Sequence, residues 1–140
     1  FFSSFRRDLP KLSIKNNTEI KKFKLPPVLL DLLWNKLHIF PIEKFIGDVD
    51  VFITSDWTEP PALRAKKGTI LYDLIVYKFP HETDSKIIQT QKRKLRWVKK
   101  ESSMVFCISE ATRKDAREIL DIDKEKLSVI YPGVGYENCY

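Results

Sequence analysis

Residues 102–120 constrain the fold more than any other stretch, because an uninterrupted apolar run ends at a serine and passes straight into a helical pattern. The run at 104–108 does not alternate with polar residues, which predicts a strand covered on both faces, as in a parallel sheet flanked by helices. Ser109 suits a helix N-cap, and Glu110 places a negative charge at the positive end of the helix dipole. We expect a strand to end and a helix to begin at this serine.

Further apolar runs at 48–54, 69–76 and 127–131 predict three more strands of the same kind. Helical patterns or long crossovers separate them, so the order from residue 48 is strand, crossover, strand, helix, strand, helix, strand. This order is typical of an α/β protein with right-handed connections. The predicted fold is a mostly parallel Rossmann-like sheet of at least four strands, flanked by helices.

The part before residue 48 predicts a helix after Pro27, a residue tolerated in a first helical turn. Its predicted apolar face consists of Val28, Leu29, Leu32, Leu33, Leu37 and Phe40. A short helical turn ending at Gly47 follows. His38 lies on the predicted helix with no second metal ligand nearby, so we assign it no role and expect no metal site.

The chain of 140 residues is long enough for one domain, and no apolar run approaches the roughly 20 residues that span a bilayer. The start lacks the pattern of a signal peptide. Cys107 falls inside a predicted strand and Cys139 near the end, so no disulfide is expected and we predict a cytoplasmic protein. The motifs GxGxxG, GxxxxGK[ST], CxxC and HExxH are absent from the sequence.

The formal net charge of +6 is concentrated in residues 86–100, which carry seven basic side chains and no acidic one. A candidate surface for an anionic membrane or nucleic acid consists of Lys92, Arg93, Arg96, Lys99 and Lys100. The alternative is an ordinary amphipathic helix whose Ile88, Leu95 and Val98 face the sheet. Trp97 is the only aromatic residue in the run, which disfavours nucleic acid.

Polar and aromatic side chains follow three of the predicted strands where each strand ends. They are Ser55, Asp56 and Trp57 after the first, Tyr72 and Asp73 after the second, and Ser109 and Glu110 after the third. Ligands of open parallel sheets bind at this edge, and carboxylates beside aromatic faces suit a carbohydrate. Glu59 also follows the first strand and is a further candidate. The alternatives are that Ser109 only caps a helix, that Tyr72 packs in the core, and that Asp56, Glu59 and the prolines only end a strand.

Four segments in this order resemble one known family. They are DVDVFIT with the following PP, KKGTILYDLIVYKFP, SSMVFCISEATRKDAREIL and KLSVIYPGV. Together they are similar to the second half of the N-terminal domain of family-4 retaining glycosyltransferases of the GT-B type. The resemblance covers roughly residues 48–134.

The resemblance implies a nucleotide-sugar-dependent transferase of cell-envelope polysaccharide biosynthesis whose N-terminal domain binds a glycan or lipid-linked acceptor. Residues 1–134 would be a partial acceptor-binding domain and 135–140 the start of an interdomain linker or tail. The donor domain of the same polypeptide would be the partner, and peripheral contact with the inner membrane face is compatible with this role. We expect no cofactor in this chain, a nucleotide-sugar donor for the parent enzyme, and no activity from the fragment alone.

One position departs from the family pattern. Many members have a His-Asp dipeptide where this chain has Tyr72 and Asp73, and the histidine reaches the donor sugar. Tyrosine can donate a hydrogen bond to a sugar hydroxyl but does not reproduce the proton chemistry of histidine near neutral pH. Only the position and the contact carry over.

Overall fold

A four-stranded parallel sheet forms the centre of the protein. The structure, a computed structural model, describes residues 2–3, 18–55 and 57–133, with only the backbone at 2–3. The strands are β1 (Phe2–Ser3), β2 (Phe23–Lys24), β3 (Val51–Thr54), β4 (Lys66–Leu71), β5 (Met104–Cys107) and β6 (Leu127–Val129). The sheet order β3-β4-β5-β6 follows the chain order, and every pairing is parallel. The predicted α/β fold class is confirmed. Strands β1 and β2 form a separate parallel pair.

The described helices lie between β2 and β3, between β4 and β5, and between β5 and β6. They are α1 (Pro27–Leu30), α2 (Glu43–Ile46), α3 (Ile75–Lys78), α4 (Ser85–Glu101) and α5 (Glu110–Leu120). Helix α1 continues as a π-helix over Asp31–Lys36, and short 3-10 helices span Pro80–Glu82 and Lys124–Lys126. The predicted short turn before Gly47 is confirmed as α2, and Gly47 follows it with a φ of 85°.

The main core lies on one face of the sheet. Because each new strand is added on the same side of the previous one through right-handed connections, α4 and α5 lie on the same face. Their side chains join the inward side chains of the strands in one cluster. It contains Leu71, Leu74, Leu95, Val98, Val105, Cys107, Ala116, Leu120, Ile122 and Leu127.

The opposite face is not covered by the part of the chain that the structure describes. Val51 and Ile53 point to this face from β3 and are 57% and 52% exposed. The covered face of β3 and β4 instead buries the polar side chains of Thr54, Lys67 and Thr69. The expectation that both faces of each strand are covered is therefore wrong for Val51 and Ile53, because no described helix packs on their side of the sheet.

The predicted helix before Gly47 exists only in part, and its buried face differs from the prediction. Leu30 and Trp34 are buried with Ile42 and pack beside Phe52 of β3, whereas Val28 is 82% exposed. The wider π-helical turn rotates the buried positions away from those of an α-helix. The helix also ends before its predicted limit, since residues 38 and 40 have positive φ.

The second predicted strand also ends early. Strand β4 stops at Leu71, and the residues predicted to extend it form a turn and α3. Asp73 accepts a hydrogen bond through Oδ1 from the Ile75 backbone N–H at 3.0 Å. This local side-chain bond offers the backbone a turn in place of the sheet ladder, and the short helix follows.

Candidate functional site

The carboxyl ends of β3 and β4 meet at one cavity of about 250 Å³. Trp57, Tyr72 and Asp73 line it together, as the parallel sheet predicts. All three side chains are accessible, and Trp57 and Tyr72 are 47% and 46% exposed. The sheet therefore brings an aromatic face, a phenol and a carboxylate to one concave surface.

Helix α4 supplies the far wall of this cavity. Gln91, Lys94 and Leu95 line it, and Thr83 lies at the loop before the helix. Lys94 is only 2% exposed although the basic run predicts a solvated face. The burial of Lys94 could have been predicted from its spacing. Lys94 lies four residues before the predicted inward position Val98, and residues four apart share one face of a helix. The sequence analysis missed this cation.

The other predicted site residues do not line the cavity. Ser55 lines a second and larger groove, which Trp57 also lines. Ser109 and Glu110 follow β5 and line neither space. Asp56 lies outside the described residues, as do Cys139 and the tail at 135–140.

Ser109 acts as the predicted helix cap. Its Oγ accepts a hydrogen bond from the Thr112 backbone N–H at 3.1 Å. Thr112, 6% exposed, in turn donates through Oγ1 to the Tyr72 carbonyl oxygen at 2.9 Å. Glu110 pairs with Arg113 at 2.7 Å on the exposed surface, where such pairs contribute little stability. Thr112 therefore ties the end of β4 to the start of α5.

The loop that carries Trp57 is held by Asn35, a residue that the sequence analysis did not single out. Asn35 is 2% exposed and donates through Nδ2 to the Trp57 carbonyl oxygen at 2.8 Å. Its Oδ1 accepts from the Glu59 backbone N–H at 2.9 Å. Nδ2 also donates to Asp31 at 2.9 Å. One buried amide thus fixes the backbone on both sides of residue 58.

A buried polar cluster lies beneath this loop. Lys67 Nζ contacts Glu59 Oε1 at 3.0 Å and donates to Glu101 Oε2 at 2.9 Å. Thr54 donates to Glu59 Oε2 at 2.6 Å and lies 2.8 Å from Thr69 Oγ1. Glu59 Oε1 accepts no aligned hydrogen bond in the described part of the chain, so its contact with Lys67 is an ion pair. Glu59 is 0% exposed and faces this cluster rather than an acceptor.

Glu101 links this cluster to His38. Burial acts to raise the pKa of Glu101, but the hydrogen bond and charge of Lys67 and the nearby His38 outweigh burial and hold that pKa below its ordinary value. His38 Nε2 lies 2.7 Å from Glu101 Oε1, and its Nδ1 lies 2.8 Å from the Trp34 carbonyl oxygen. The His38 ring also stacks on Trp97 at 3.6 Å. These contacts are structural.

Two members of the predicted basic surface have acidic partners. Arg93 Nη2 donates to Asp31 Oδ2 at 2.7 Å, and its side chain is 27% exposed. Lys99 contacts Asp121 at 3.0 Å in the open solvent. The first contact fixes α4 against the π-helix, whereas the second is weakened by water and salt.

The remaining members lie on the outer side of α4. Lys92 Nζ lies 5.1 Å from the Tyr77 ring centroid, and Lys100 Nζ lies 5.1 Å from that of Trp97. Arg96 is exposed between them. The predicted inward positions Leu95 and Val98 are buried. Helix α4 is thus amphipathic, as the alternative interpretation holds, and keeps a basic outer stripe.

Comparison with protein families decides the identity. The family model described as Glycosyltransferase Family 4 matches residues 2–137. The chain belongs to glycosyltransferase family 4. The match supports the N-terminal domain of a GT-B-type enzyme as the origin of this Rossmann-like sheet. No curated protein and no solved structure gives a significant match.

Among residues 18–55 and 57–133, no helix has both the length and the apolar composition needed to cross a bilayer. The same residues contain no group of three or more His, Cys, Asp and Glu side chains arranged to hold a metal ion.

Proposed function

We propose that this family-4 domain binds the acceptor of a retaining glycosyltransferase, which moves a sugar from a nucleotide-sugar donor to a glycan or lipid-linked acceptor. The observation that carries the proposal is the cavity shared by Trp57, Tyr72 and Asp73 at the carboxyl edge of the sheet. An indole face packs against the C–H face of a sugar ring, while a carboxylate accepts hydrogen bonds from its hydroxyls.

Asp73 is the group best placed to orient an acceptor hydroxyl. Oδ1 is fixed by the Ile75 backbone N–H, and Oδ2 has no partner among the described residues. An oriented carboxylate with one oxygen to spare can accept a hydrogen bond without reorganising. Tyr72 precedes it and adds a hydroxyl that donates or accepts.

The test is made in the complete enzyme. Asp73→Asn is expected to slow transfer by about one to two decades, because a hydrogen bond to a charged group contributes about 1.5–3 kcal/mol. Asp48→Asn is the matched control, since its side chain is 79% exposed and precedes β3 at the opposite edge. Tyr72→Phe should also slow transfer, whereas Ser109→Ala should lower stability by about 1 kcal/mol with little effect on the rate.

Normal folding and full activity in both Asp73→Asn and Tyr72→Phe would refute the acceptor site. We also propose that the 140-residue chain alone turns over no nucleotide sugar, because the family's donor-binding residues belong to another domain. Turnover of a nucleotide sugar by the purified chain would contradict this part.

A second candidate function is docking on an anionic membrane through Lys92, Arg96 and Lys100, with Lys99, which pairs with Asp121, beside them. The observation in its favour is that these side chains share the outer stripe of α4. Nucleic acid is less well supported, because Trp97 is already stacked on His38 and is not offered to a base. Sedimentation with anionic liposomes should fall with salt and with the double change Lys92→Gln and Arg96→Gln. Unchanged binding by that variant would exclude the stripe as the docking surface.

A further inference from the structure

Three large apolar side chains are exposed on the loop that follows the π-helix. In this 37–40 loop, Leu37, Ile39 and Phe40 are 52%, 43% and 46% exposed. His38 instead points inward, and its side chain is only 8% exposed. Neighbouring exposed apolar side chains with a polar rim mark a surface that contacts a protein or a membrane. The 37–40 loop is therefore a candidate docking surface.

The backbone of the loop is strained in the conformation that exposes these side chains. His38 and Phe40 have φ of 53° and 61°, in the left-handed region that large side chains disfavour. Buried groups maintain this conformation. Trp34 donates through Nε1 to the Phe40 carbonyl oxygen at 3.1 Å, and the Ile39 N–H donates to the Leu33 carbonyl oxygen at 2.9 Å. Backbone strain that the surrounding contacts maintain is concentrated at functional sites.

Lysines border the loop. Lys36 precedes it and is exposed, and Lys44 Nζ lies 5.7 Å from the Phe40 ring centroid. Lys100, a member of the basic stripe of α4, lies over the Trp97 ring, on which the histidine of the loop also stacks. The apolar loop therefore borders the carboxyl-terminal end of the basic stripe.

Two carboxylates of the same region are engaged elsewhere. Glu101 is bound by His38 and Lys67. Glu43 accepts through Oε1 from the backbone N–H groups of residues 63 and 64, and its Oε2 is buried. These carboxylates are therefore not available to neutralise the lysines that border the loop. An anionic lipid surface is complementary to this arrangement, because lysines can reach the headgroups while apolar side chains lie below them.

We propose that the 37–40 loop inserts its three apolar side chains into an anionic membrane, with the bordering lysines at the lipid headgroups. The inference rests on the second candidate function, because it adds an apolar anchor to docking through the basic stripe of α4. It commits to a lipid bilayer rather than to a protein partner or a second copy of this chain. Insertion gives a reason for the strain, since asparagine or glycine at residue 40 would relieve it but would supply no apolar ring.

The first experiment uses Phe40→Asn, because asparagine tolerates a positive φ and removes the apolar ring. Sedimentation with vesicles of equal parts phosphatidylcholine and phosphatidylglycerol measures the membrane affinity of the 140-residue protein. Phe40→Asn should weaken this affinity by about tenfold, since the transfer of a large apolar side chain out of water is favourable by about that factor. The urea midpoint of the variant should stay the same or rise, because the strain at residue 40 is relieved. A purely structural Phe40 would instead lower the midpoint.

Ile39→Ser and Ile53→Ser are a matched pair of controls. Both isoleucines are about half exposed, but Ile53 lies on the open face of the sheet, opposite to α4. Only Ile39→Ser should weaken the affinity for the vesicles. Salt separates the loop from the stripe, because it screens charges and leaves apolar insertion in place. Phe40→Asn should therefore lower the affinity by the same factor at low and high salt, whereas the double change Lys92→Gln and Arg96→Gln should lose its effect as salt is added.

Unchanged affinity in Phe40→Asn would overturn the inference, and so would equal losses in Ile39→Ser and Ile53→Ser. A dimer that sedimentation velocity detects in the wild type and not in Phe40→Asn would assign the loop to a second copy of the chain and would also overturn it. If only the double change at Lys92 and Arg96 weakens vesicle binding, the stripe docks and the loop does not. If only Phe40→Asn weakens it, the loop is the anchor and docking through the stripe fails.

Discussion

Replacing Lys67 with Met is expected to destabilise the protein by about 3–5 kcal/mol, because it breaks a buried ion pair by removing one partner. Lys67 is 4% exposed and contacts Glu59, which is 0% exposed, at 3.0 Å. Without the ammonium group, the Thr54 hydroxyl is the one side-chain partner that the described residues leave to the Glu59 carboxylate. Met fills a similar volume, so the cost reflects the lost cation rather than a cavity. A loss of this size is a large part of the roughly 5–15 kcal/mol that stabilises an ordinary domain.

Urea denaturation of the 140-residue chain measures the effect, and Lys66→Met is the matched control. Lys66 is the preceding residue of the same strand and is exposed, so the identical change should cost less than about 0.5 kcal/mol. The added change Glu59→Gln should restore part of the stability of Lys67→Met, because it removes the uncompensated charge. A loss within about 1 kcal/mol of that in Lys66→Met would refute the reasoning.

Three further predictions concern single side chains. Thr112→Val should lower the unfolding free energy by about 1 kcal/mol, because it removes the hydrogen bond to the Tyr72 carbonyl oxygen. Thr112→Ser keeps the hydroxyl and should therefore keep most of this stability. The pKa of Glu101 is lowered, so its ionised form stabilises the fold above its ordinary value of 4.5. This stabilisation is lost as the pH falls through the lowered pKa, and Glu101→Gln should therefore flatten the acid limb of the stability curve. Burial raises the pKa of Cys107 to about 11, so in a Cys139→Ser background iodoacetamide should react only as fast as urea or fluctuations open the core.

The sequence predicted the elements that depend on local pattern. The strand before Ser109, its cap and the following helix were all recognised, because an apolar run, an N-cap residue and helical spacing are local signals. The parallel edge that joins Trp57 to Tyr72 and Asp73 followed from topology alone. The location of these three residues at one edge depends on the order and direction of the strands and not on side-chain packing.

Features that depend on tertiary packing were missed. The π-helical turn at Asp31–Lys36 buries Trp34 and Asn35. These two buried positions were not predicted, because a change of helical pitch cannot be recognised from the spacing of apolar residues. Lys94 and Lys67 are buried cations that composition assigns to the surface. Glu59 was interpreted as a candidate ligand group because the sequence does not show its ion pair. Its cationic partner, Lys67, lies on the neighbouring strand β4.

The agreement between strand order and chain order has a consequence for how the protein forms. Each strand of the main sheet pairs only with its nearest neighbours in sequence, through the connections at 55–65, 72–103 and 108–126. Within the described part of the sheet, no pairing waits for a distant segment. The entropy lost in closing each connection is therefore offset at once by ladder bonds, and in the last two connections also by a docked helix. A chain leaving the ribosome can add β4 to β3, then β5 with α4, and finally β6 with α5. The sheet can therefore grow during synthesis in the direction in which the chain is made.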